Sequence, residues 1–263
     1  MSADVIAISR RSRRPKRGKG LACVNQIGCD VFSTDSVKEL HHLLQGRICE
    51  IYCLLPPSAY GGRSPDIVLA PLFGILRTVN IKRVVLASSS GVYGHREREV
   101  SRLSDVDGTT ARALFLLGIE NAWSRFFAST QSVRLAGLYG PKRIVGKVSI
   151  ESGKLISGAR FGWLNFVRVE DAAHALRAFM MIGPTEQVHL ISDGVPVIRA
   201  DYYQYLHELM GGQGASQPQL FFEKNERGGK KCNPQSSWGS INRKPLFFSY
   251  KEGLSDMFNR ADQ

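Results

Sequence analysis

The sequence lacks any apolar run that could cross a membrane. A spanning helix needs roughly 18 consecutive apolar residues, and no run in this 263-residue chain approaches that length. The N-terminus also lacks the apolar core of a secretory signal. These absences predict an intracellular, cytoplasmic protein with no membrane among its partners.

Cysteine is scarce and forms no ligand pattern. The spacing shows no CxxC pair and no Cys/His metal motif, and the five residues are Cys23, Cys29, Cys49, Cys53 and Cys232. Two of them, Cys49 and Cys53, lie in or beside an apolar stretch. We therefore expect free buried thiols, and neither disulfides nor a metal site.

Acidic residues are also few. The chain has 23 Asp and Glu against 35 Lys and Arg, which gives a formal net charge of +12. The excess is concentrated in "RRSRRPKRGKG", residues 10–20, whose Pro and Gly and lack of apolar periodicity predict a solvated loop. It could be an anion-binding loop, a nucleic-acid or targeting patch, or a solubilising loop. Because it has no interleaved aromatic residues and no nucleic-acid reading motif, nucleic acid is the least favoured partner.

Apolar runs alternate with amphipathic segments along the chain. The predicted strands cover 4–9, 28–32, 49–55, 83–89 and 132–140, and the predicted helices cover 34–46, 66–79 and 109–127. Repeated alternation of strand and helix implies a parallel sheet with helices on both faces. The expected fold class is therefore α/β, with a doubly wound sheet.

The C-terminal part contains further elements. "NFVRVEDAAHALRAFMM" predicts a short strand and a helix with its N-cap at Glu170 or Asp171. The inward positions of that helix are expected to be Ala172, Ala173, Leu176 and Phe179. "RADYYQYLHELMGG" predicts another helix closed by glycine. Residues 223–244 are polar and glycine-rich, which predicts a mobile loop.

Five segments carry a resemblance to a known family. They are "RVVLASSSGVYG", "VRLAGLYGPKR", "NFVRVEDAAHAL", "VHLISDGVPVIRADYYQYLHELMG" and "KPLFFSYKEGL". In this order the chain resembles an extended short-chain dehydrogenase/reductase of the NAD-dependent epimerase/dehydratase family, in its atypical bacterial branch. The resemblance implies a Rossmann-like core in residues 1–140, a substrate lobe in residues 141–263 interleaved with it, and a small-molecule substrate.

The chain departs from this family at its N-terminus. The family opens with a strand, a Gly-rich turn and a helix that together hold the cofactor pyrophosphate. Here the first strand resembles the family's second, and no GxGxxG or GxxGxxG precedes residue 60. On that alignment roughly twenty-five residues are absent, and the sheet loses a central strand. Either the start codon is assigned too far downstream or the protein is degenerate.

The resemblance also implies cofactor contacts. Arg10 and Arg11 follow the strand where the family distinguishes its two nicotinamide nucleotides, and a basic residue there suits a 2′-phosphate. Asp30 and Val31 match the pair that contacts adenine. Further matching positions are Leu54, Leu55, Pro56 and Ser88. NADP is favoured over NAD, and weak binding is expected because the pyrophosphate cradle is absent.

A second departure concerns the acid/base residues. Ser89 stands at the family's catalytic serine position, but no tyrosine or lysine lies between Gly94 and Leu138. Arg112 stands near the expected tyrosine, and arginine stays protonated, so it can bind an anion but cannot act as a general base. The expected substrate contacts are Ser89, Arg112 and Asn165, and Ser89 is the catalytic candidate.

Three functional hypotheses follow. The first is an NAD(P)-binding, epimerase/dehydratase-like oxidoreductase of unknown substrate and atypical mechanism. The second is a non-catalytic binding or regulatory protein with the same fold, and the third, least favoured, is a nucleic-acid-associated protein. Because successive strand residues alternate faces, we also predict that Ser89 leads into the site while Ser88 or Ser90 points elsewhere.

Overall fold

The computed structural model describes residues 5–10, 24–183, 186–211 and 222–261. The strands are β1 (Val5–Ser9), β2 (Val24–Gly28), β3 (Ile48–Cys53), β4 (Asn80–Ser89), β5 (Arg98–Val100), β6 (Thr130–Leu135), β7 (Gly137–Tyr139), β8 (Ile156–Leu164), β9 (Phe166–Arg168), β10 (Val188–Ile191), β11 (Val197–Ile198), β12 (Phe222–Gly228) and β13 (Lys230–Cys232). The helices are α1 (Thr34–Leu44), α2 (Pro65–Leu76), α3 (Ala111–Phe126), α4 (Lys147–Glu151), α5 (Val169–Ile182), α6 (Arg199–Leu209), α7 (Gln235–Ser240) and α8 (Tyr250–Ala261).

A four-stranded parallel sheet forms the centre of the fold. Its strand order is β10-β6-β4-β3, and each neighbouring pair runs parallel. The side chains of β4 alternate between two covered faces. Val84 and Leu86 pack in one cluster with α1, α2 and α3, whereas Val85 packs in another with α5. A parallel sheet between two helical layers is the Rossmann-like, doubly wound fold predicted from the sequence, and that prediction is confirmed.

Strands β1 and β2 form a separate parallel pair. They are in register from Val5 against Val24 to Ser9 against Gly28. Ile6 of β1 and Ile27 of β2 pack on the same apolar cluster as α1 and α2. The pair therefore lies under the same helical layer as β3, although within the described residues neither strand bonds to β3.

The space between β1 and β3 is named the seam. The doubly wound strand order places β1 on the side of its pair that faces β3. β3 bonds to β4 along one edge, and no strand in the described ranges bonds to its other edge. The first strand that the family resemblance implies would lie in the seam, because that order puts it between the strands that β1 and β3 match.

One face of β3 is open as well as one edge. Cys49, Ile51 and Cys53 belong to the cluster formed with α1 and α2. The alternate side chains are solvent-accessible: Ile48 and Tyr52 have exposures of 71% and 45%, and Glu50 between them lies 3.8 Å from Arg83. Parallel strands are normally buried on both faces, so this side of β3 lacks the cover that the rest of the sheet has.

The C-terminal lobe has its own core and also contributes to the main sheet. β8 pairs with β11 and β12, and its Ile156 packs with α6 and α8. β10, from the same half of the chain, completes the main sheet, and β13 pairs with β5 directly after the end of β4. The lobe is therefore connected to the region that follows β4.

The predicted strand over 28–32 is wrong in position. The strand there is β2, which ends at Gly28, and Asp30 then accepts a hydrogen bond from Phe32 N at 3.1 Å. Such an aspartate turn competes with strand pairing. The N-cap of α1 is Ser33, whose side chain accepts from Ser36 N, and the helix begins at residue 34 as predicted.

The predicted mobile loop over 223–244 is also wrong. This segment contains most of β12, the whole of β13 and α7. β12 pairs with β8 and β13 with β5, so distant backbone partners order a segment whose composition resembles a loop.

The start of α5 differs from the prediction too. Its N-cap is Arg168, and Glu170 and Asp171 lie in the first turn. Asp171 accepts from the backbone nitrogens of Leu246 and Phe247 instead of capping its own helix. The inward residue is Ala175, not Ala173, which is exposed. The other three predicted inward residues of α5 are buried.

In the described part of the chain, no helix combines the length and apolarity that a membrane crossing requires. Cys29, Cys49, Cys53 and Cys232 are free thiols, and Cys23 lies outside the described residues. No group of three or more His, Cys, Asp or Glu side chains in the described ranges is arranged to hold a metal ion.

The open face of β3 predicts a contrast between neighbouring substitutions. Ile48→Lys places its charge in solvent and should lower the free energy of unfolding by less than about 0.5 kcal/mol. Ile51→Lys places a charge against α1 and α2 and should cost about 2 kcal/mol or more. Urea denaturation measures both, and equal losses would show that the Ile48 face is covered.

Candidate functional site

Three serines at the end of β4 point to three different partners. Ser88 Oγ donates to Glu120 Oε1 at 2.5 Å. Ser89 Oγ accepts from Gly91 N at 3.1 Å and is half-buried. Ser90 is buried and hydrogen-bonded to the Cys232 side chain. Of the three, Ser89 has no side-chain partner among the described hydrogen bonds, which leaves its hydroxyl hydrogen available.

A buried ion pair lies at the end of β4. Arg134 of β6 donates to the Glu120 carboxylate of α3 at 2.7 Å, and each side chain is only 7% exposed. Arg134 Nη1 also donates to the Tyr93 hydroxyl at 3.0 Å. Burial raises the pKa of Tyr93, although Arg134 opposes this, so the phenol stays protonated and serves as a fixed structural group.

Arg112 and Leu116 face Ser89 from the first turns of α3. A Cβ built on Gly91 would lie 3.2 Å from Ser89 Oγ, 3.6 Å from Arg112 Nε and 2.9 Å from Leu116 Cδ1. These three atoms therefore lie close to one point beside Gly91, and a Cβ there would require the Leu116 side chain to move. The two helix residues are four apart, the spacing that the resemblance implies for the tyrosine and lysine. Neither an arginine nor a leucine can exchange a proton at neutral pH.

Lys230 lies beside the same turn. Its Nζ donates to Gly94 O at 2.9 Å, and its side chain is 8% exposed. β13 holds it there by pairing Lys230 with Arg98. Burial lowers the pKa of Lys230, and the nearby Arg112 and Arg98 lower it further. No sequence motif indicates this residue, because it stands in the segment with the composition of a loop.

His95 and Asp107 lie close to the same turn. Burial lowers the pKa of His95, and Lys230 and Arg112 lower it further, whereas Asp107 acts against them. The Asp107 carboxylate accepts from Thr109 N at 2.9 Å and Thr109 Oγ1 at 2.6 Å, and these bonds lower its pKa. His95 is therefore neutral at pH 7, and cations predominate around the turn.

Asn165 connects the lobe to the turn region. Its Nδ2 donates to Lys230 O at 2.7 Å, and its Oδ1 accepts from Cys232 N at 2.7 Å. Both ends of the amide thus bind the backbone of β13. In this arrangement Asn165 positions Lys230, and a direct contact with substrate stays a prediction.

The predicted cofactor residues are spread along one edge of the sheet. Arg10 is exposed directly after β1, and Arg11 lies outside the described residues. Asp30 and Val31 follow β2 and are half-buried. After β3, the side chains alternate: Leu54 is exposed, Leu55 packs on the core and Pro56 precedes a 3₁₀ turn. Ser88, bound to Glu120, is directed into the protein.

A second buried charge cluster lies in the lobe. Arg168 is 1% exposed, and its guanidinium binds Glu170 and Asp256 at 3.0 Å and 2.6 Å. It also lies 3.8 Å from the centre of the Phe247 ring. These contacts join β9 to α8 and satisfy the charge, so Arg168 is a structural link in the lobe.

Two surface cavities lie away from the strand ends. They measure about 450 and 350 Å³ and run along α2 and the end of α3. Arg77, Arg125 and Phe126 line both, and Ser89 lines neither.

Comparison with known proteins identifies the fold. No family model matches the chain. No curated protein matches it either. Several solved structures do, including an NAD-dependent epimerase/dehydratase from Methylobacillus flagellatus, at 19% identity and a TM-score of 0.76 over 98% of this chain and 90% of that one. MoeE5, solved with UDP-glucose and NAD, matches at 18% identity and a TM-score of 0.76 over the same shares.

A UDP-glucuronic acid 4-epimerase from Bacillus cereus, solved with NAD, matches at 15% identity and a TM-score of 0.69 over 91% of this chain and 82% of that one. The chain therefore has the fold of these epimerase and dehydratase structures, as the sequence resemblance predicted. A tenth of the first two structures has no counterpart in this chain.

The buried pair Glu120–Arg134 predicts a non-additive stability effect. Arg134→Met leaves the Glu120 carboxylate buried without its counter-charge and should lower the free energy of unfolding by about 3–5 kcal/mol. Adding Glu120→Gln removes the uncompensated charge and should recover a large part of this loss. Urea denaturation of both variants measures the coupling, and additive losses would contradict the account.

Proposed function

We propose that this chain is an NAD(P)-binding, epimerase/dehydratase-like protein that binds a small polar substrate at the C-terminal end of β4. The observation that carries the proposal is the meeting of Ser89 Oγ and Arg112 Nε around one point above Gly91. Ligands of doubly wound folds bind at the carboxyl ends of the strands, which is where this point lies. Residues 141–263 form the substrate lobe in this proposal.

Ser89 and Arg112 have complementary roles in this account. Ser89 Oγ accepts from Gly91 N, so its orientation is set and its hydrogen can be donated to a substrate hydroxyl or carbonyl oxygen. Arg112 is exposed at the start of α3 and can donate two parallel hydrogen bonds to a substrate oxyanion. The site orients a polar ligand, while a proton acceptor of the family type is absent from α3.

The described residues fit one half of a dinucleotide. Arg10 after β1, together with Asp30 and Val31 after β2, suits an adenosine with a 2′-phosphate, which favours NADP over NAD. The pyrophosphate needs backbone amides at a tight turn and a helix N-terminus. The seam, where that unit would stand, has no bonded strand among the described residues. MoeE5 and the Bacillus cereus epimerase, solved with NAD, support the ligand class.

A second candidate function is non-catalytic binding. It is favoured by one observation: the residues that face Ser89 from α3 are Arg112 and Leu116, which cannot relay a proton. In this reading the fold and the strand-end site are kept for recognition of a small molecule.

We predict that this chain binds NADP weakly and that filling the seam strengthens binding. Isothermal titration should give a Kd above about 100 µM for the chain alone. A chimera with a strand, a GxxGxxG turn and a helix fused ahead of β1 should bind at least about tenfold more tightly, because the turn supplies pyrophosphate contacts. The matched control is the same fusion with bulky residues in place of the turn glycines. Low-micromolar binding by the unfused chain would refute the prediction.

The strand-end site predicts different outcomes for two neighbouring serines. UDP-glucose and UDP-glucuronic acid, as probes, should raise the Tm of the protein. Ser89→Ala should remove most of this ligand-induced rise and leave the Tm of the free protein within the effect of one hydrogen bond, about 1 kcal/mol. Ser90→Ala should lower the Tm of the free protein and keep the rise. Identical behaviour of the two variants would sink the assignment, and no rise with either probe would count against nucleotide sugars as substrates.

A further inference from the structure

We propose that the turn after β4 contains an oxyanion subsite formed by Lys230 and Arg112, so that the ligand of this site carries a carboxylate or a phosphate. The inference rests on the proposed function for its placement in a substrate site. The two cations, however, can be tested without any cofactor.

Backbone contacts hold Lys230 in place from several sides. β13 pairs with β5, and Gly229 N donates to His95 O at 2.8 Å. Asn165 binds the backbone directly after the lysine, at Lys230 O and Cys232 N. Lys230 Nζ then reaches Gly94 O at 2.9 Å. The ammonium is therefore fixed beside the turn and does not sample solvent like a surface lysine.

The charge of Lys230 is not compensated within the described protein. It is more than nine-tenths buried, and no carboxylate of the described ranges forms a salt bridge with it. Its neighbour Cys232 is neutral, because burial raises the pKa of that thiol to about 11. A buried ammonium without a counter-charge is unfavourable, so a ligand oxyanion would supply what the protein lacks.

The surroundings add positive charge. Arg112 and Arg98 are close enough to lower the pKa of Lys230, and Arg199 acts on His95 from the lobe. One acidic group acts on His95, Asp107. Its Oδ1 accepts both hydrogen bonds from Thr109, and its Oδ2 lies against Gly94. An anion entering this turn therefore meets more cations than carboxylates, with Asp107 as the one acidic group that acts on His95.

These groups define the chemistry of the ligand. A guanidinium binds a planar carboxylate or a phosphate through two parallel hydrogen bonds, and an ammonium adds a point charge. Ser89, which meets Arg112 above Gly91, can donate to a hydroxyl or carbonyl oxygen of the same molecule. The ligand class is therefore a small hydroxylated molecule with a carboxylate or phosphate next to the oxygen bound by Ser89.

The test is titration calorimetry of the unmodified chain at low ionic strength with three probes. Glucuronate represents the carboxylate, inorganic phosphate represents the phosphate, and glucose is the neutral control. We expect one or both anions to bind and glucose not to bind. Lys230→Met and Arg112→Gln should each weaken anion binding about tenfold or more, since each removes a charge-assisted contact.

Matched controls separate a site from general positive charge. Lys231→Met removes the next lysine, whose Nζ lies 4.1 Å from the centre of the Trp163 ring. Arg125→Gln removes an arginine at the far end of α3 that pairs with Asp66 at 2.6 Å. Both controls should bind the anions like the parent chain. Lys230→Arg keeps the charge and should retain binding, which covers the case in which Lys230→Met fails to fold.

Several outcomes would overturn the proposal. They are no binding of either anion, equal weakening in the controls, or parent-like binding by both Lys230→Met and Arg112→Gln. If Lys230→Met lowers only the Tm and leaves anion affinity unchanged, Lys230 is structural and the subsite is wrong. Failure of the fused chimera to bind NADP would refute the proposed cofactor and leave the anion result standing.

Discussion

The structure depends on one constraint, which is that a parallel strand needs hydrogen-bonding partners at its edges and cover on both faces. β4 and β6 meet it fully, with partners on both edges and buried side chains between two helical layers. β1 and β3 do not. Within the described ranges each bonds to a partner along one edge only, and the doubly wound order puts the seam between them. The apolar side chains of β3 that face away from α1 and α2 are consequently in solvent.

In the proposed function, the seam bears on cofactor binding and the strand-end site bears on substrate binding. The turn after β4 is built by contacts that do not involve the seam: Ser88 with Glu120, Arg134 with Tyr93, and β13 with β5. These contacts hold Ser89 and Lys230 at the same turn. Arg112 also lies close to this turn. The pyrophosphate position, by contrast, depends on backbone amides that would come from a strand, a turn and a helix in the seam. The proposed function therefore allows the strand-end site to bind a substrate even if the seam weakens cofactor binding.

The sequence predicts well those helices and strands whose position depends on the local spacing of apolar residues. The apolar spacing of α1 and the run ending at Ser88 and Ser89 placed a helix and a strand within a few residues of their observed bounds, because periodic burial determines both. β2 was misplaced because the Asp30 side chain forms a turn that the apolar letters around it do not reveal. The composition of residues 223–244 predicts a loop. The segment is ordered by pairing with β8 and β5, which are distant in sequence and leave no local signal.

The candidate site, like the fold, could be predicted only in part from the sequence. The family's serine position predicts Ser89, and the place expected for its tyrosine predicts Arg112. In the structure both lie close to Gly91. Asn165 was predicted as a substrate contact, and the structure shows its amide bound to the backbone around Lys230. Lys230 itself could not be predicted, because its proximity to Gly94 arises from strand pairing across more than a hundred residues.

Native-state hydrogen exchange tests the seam most directly. The account predicts that the amides of β1 and β3 that do not donate to β2 or β4 exchange about 100-fold faster, or more, than the amides of β4 and β6, because nothing in the described chain protects them. Protection of those edge amides equal to that of β4 and β6 would contradict the account, since it would mean that the sheet is already continuous across the seam.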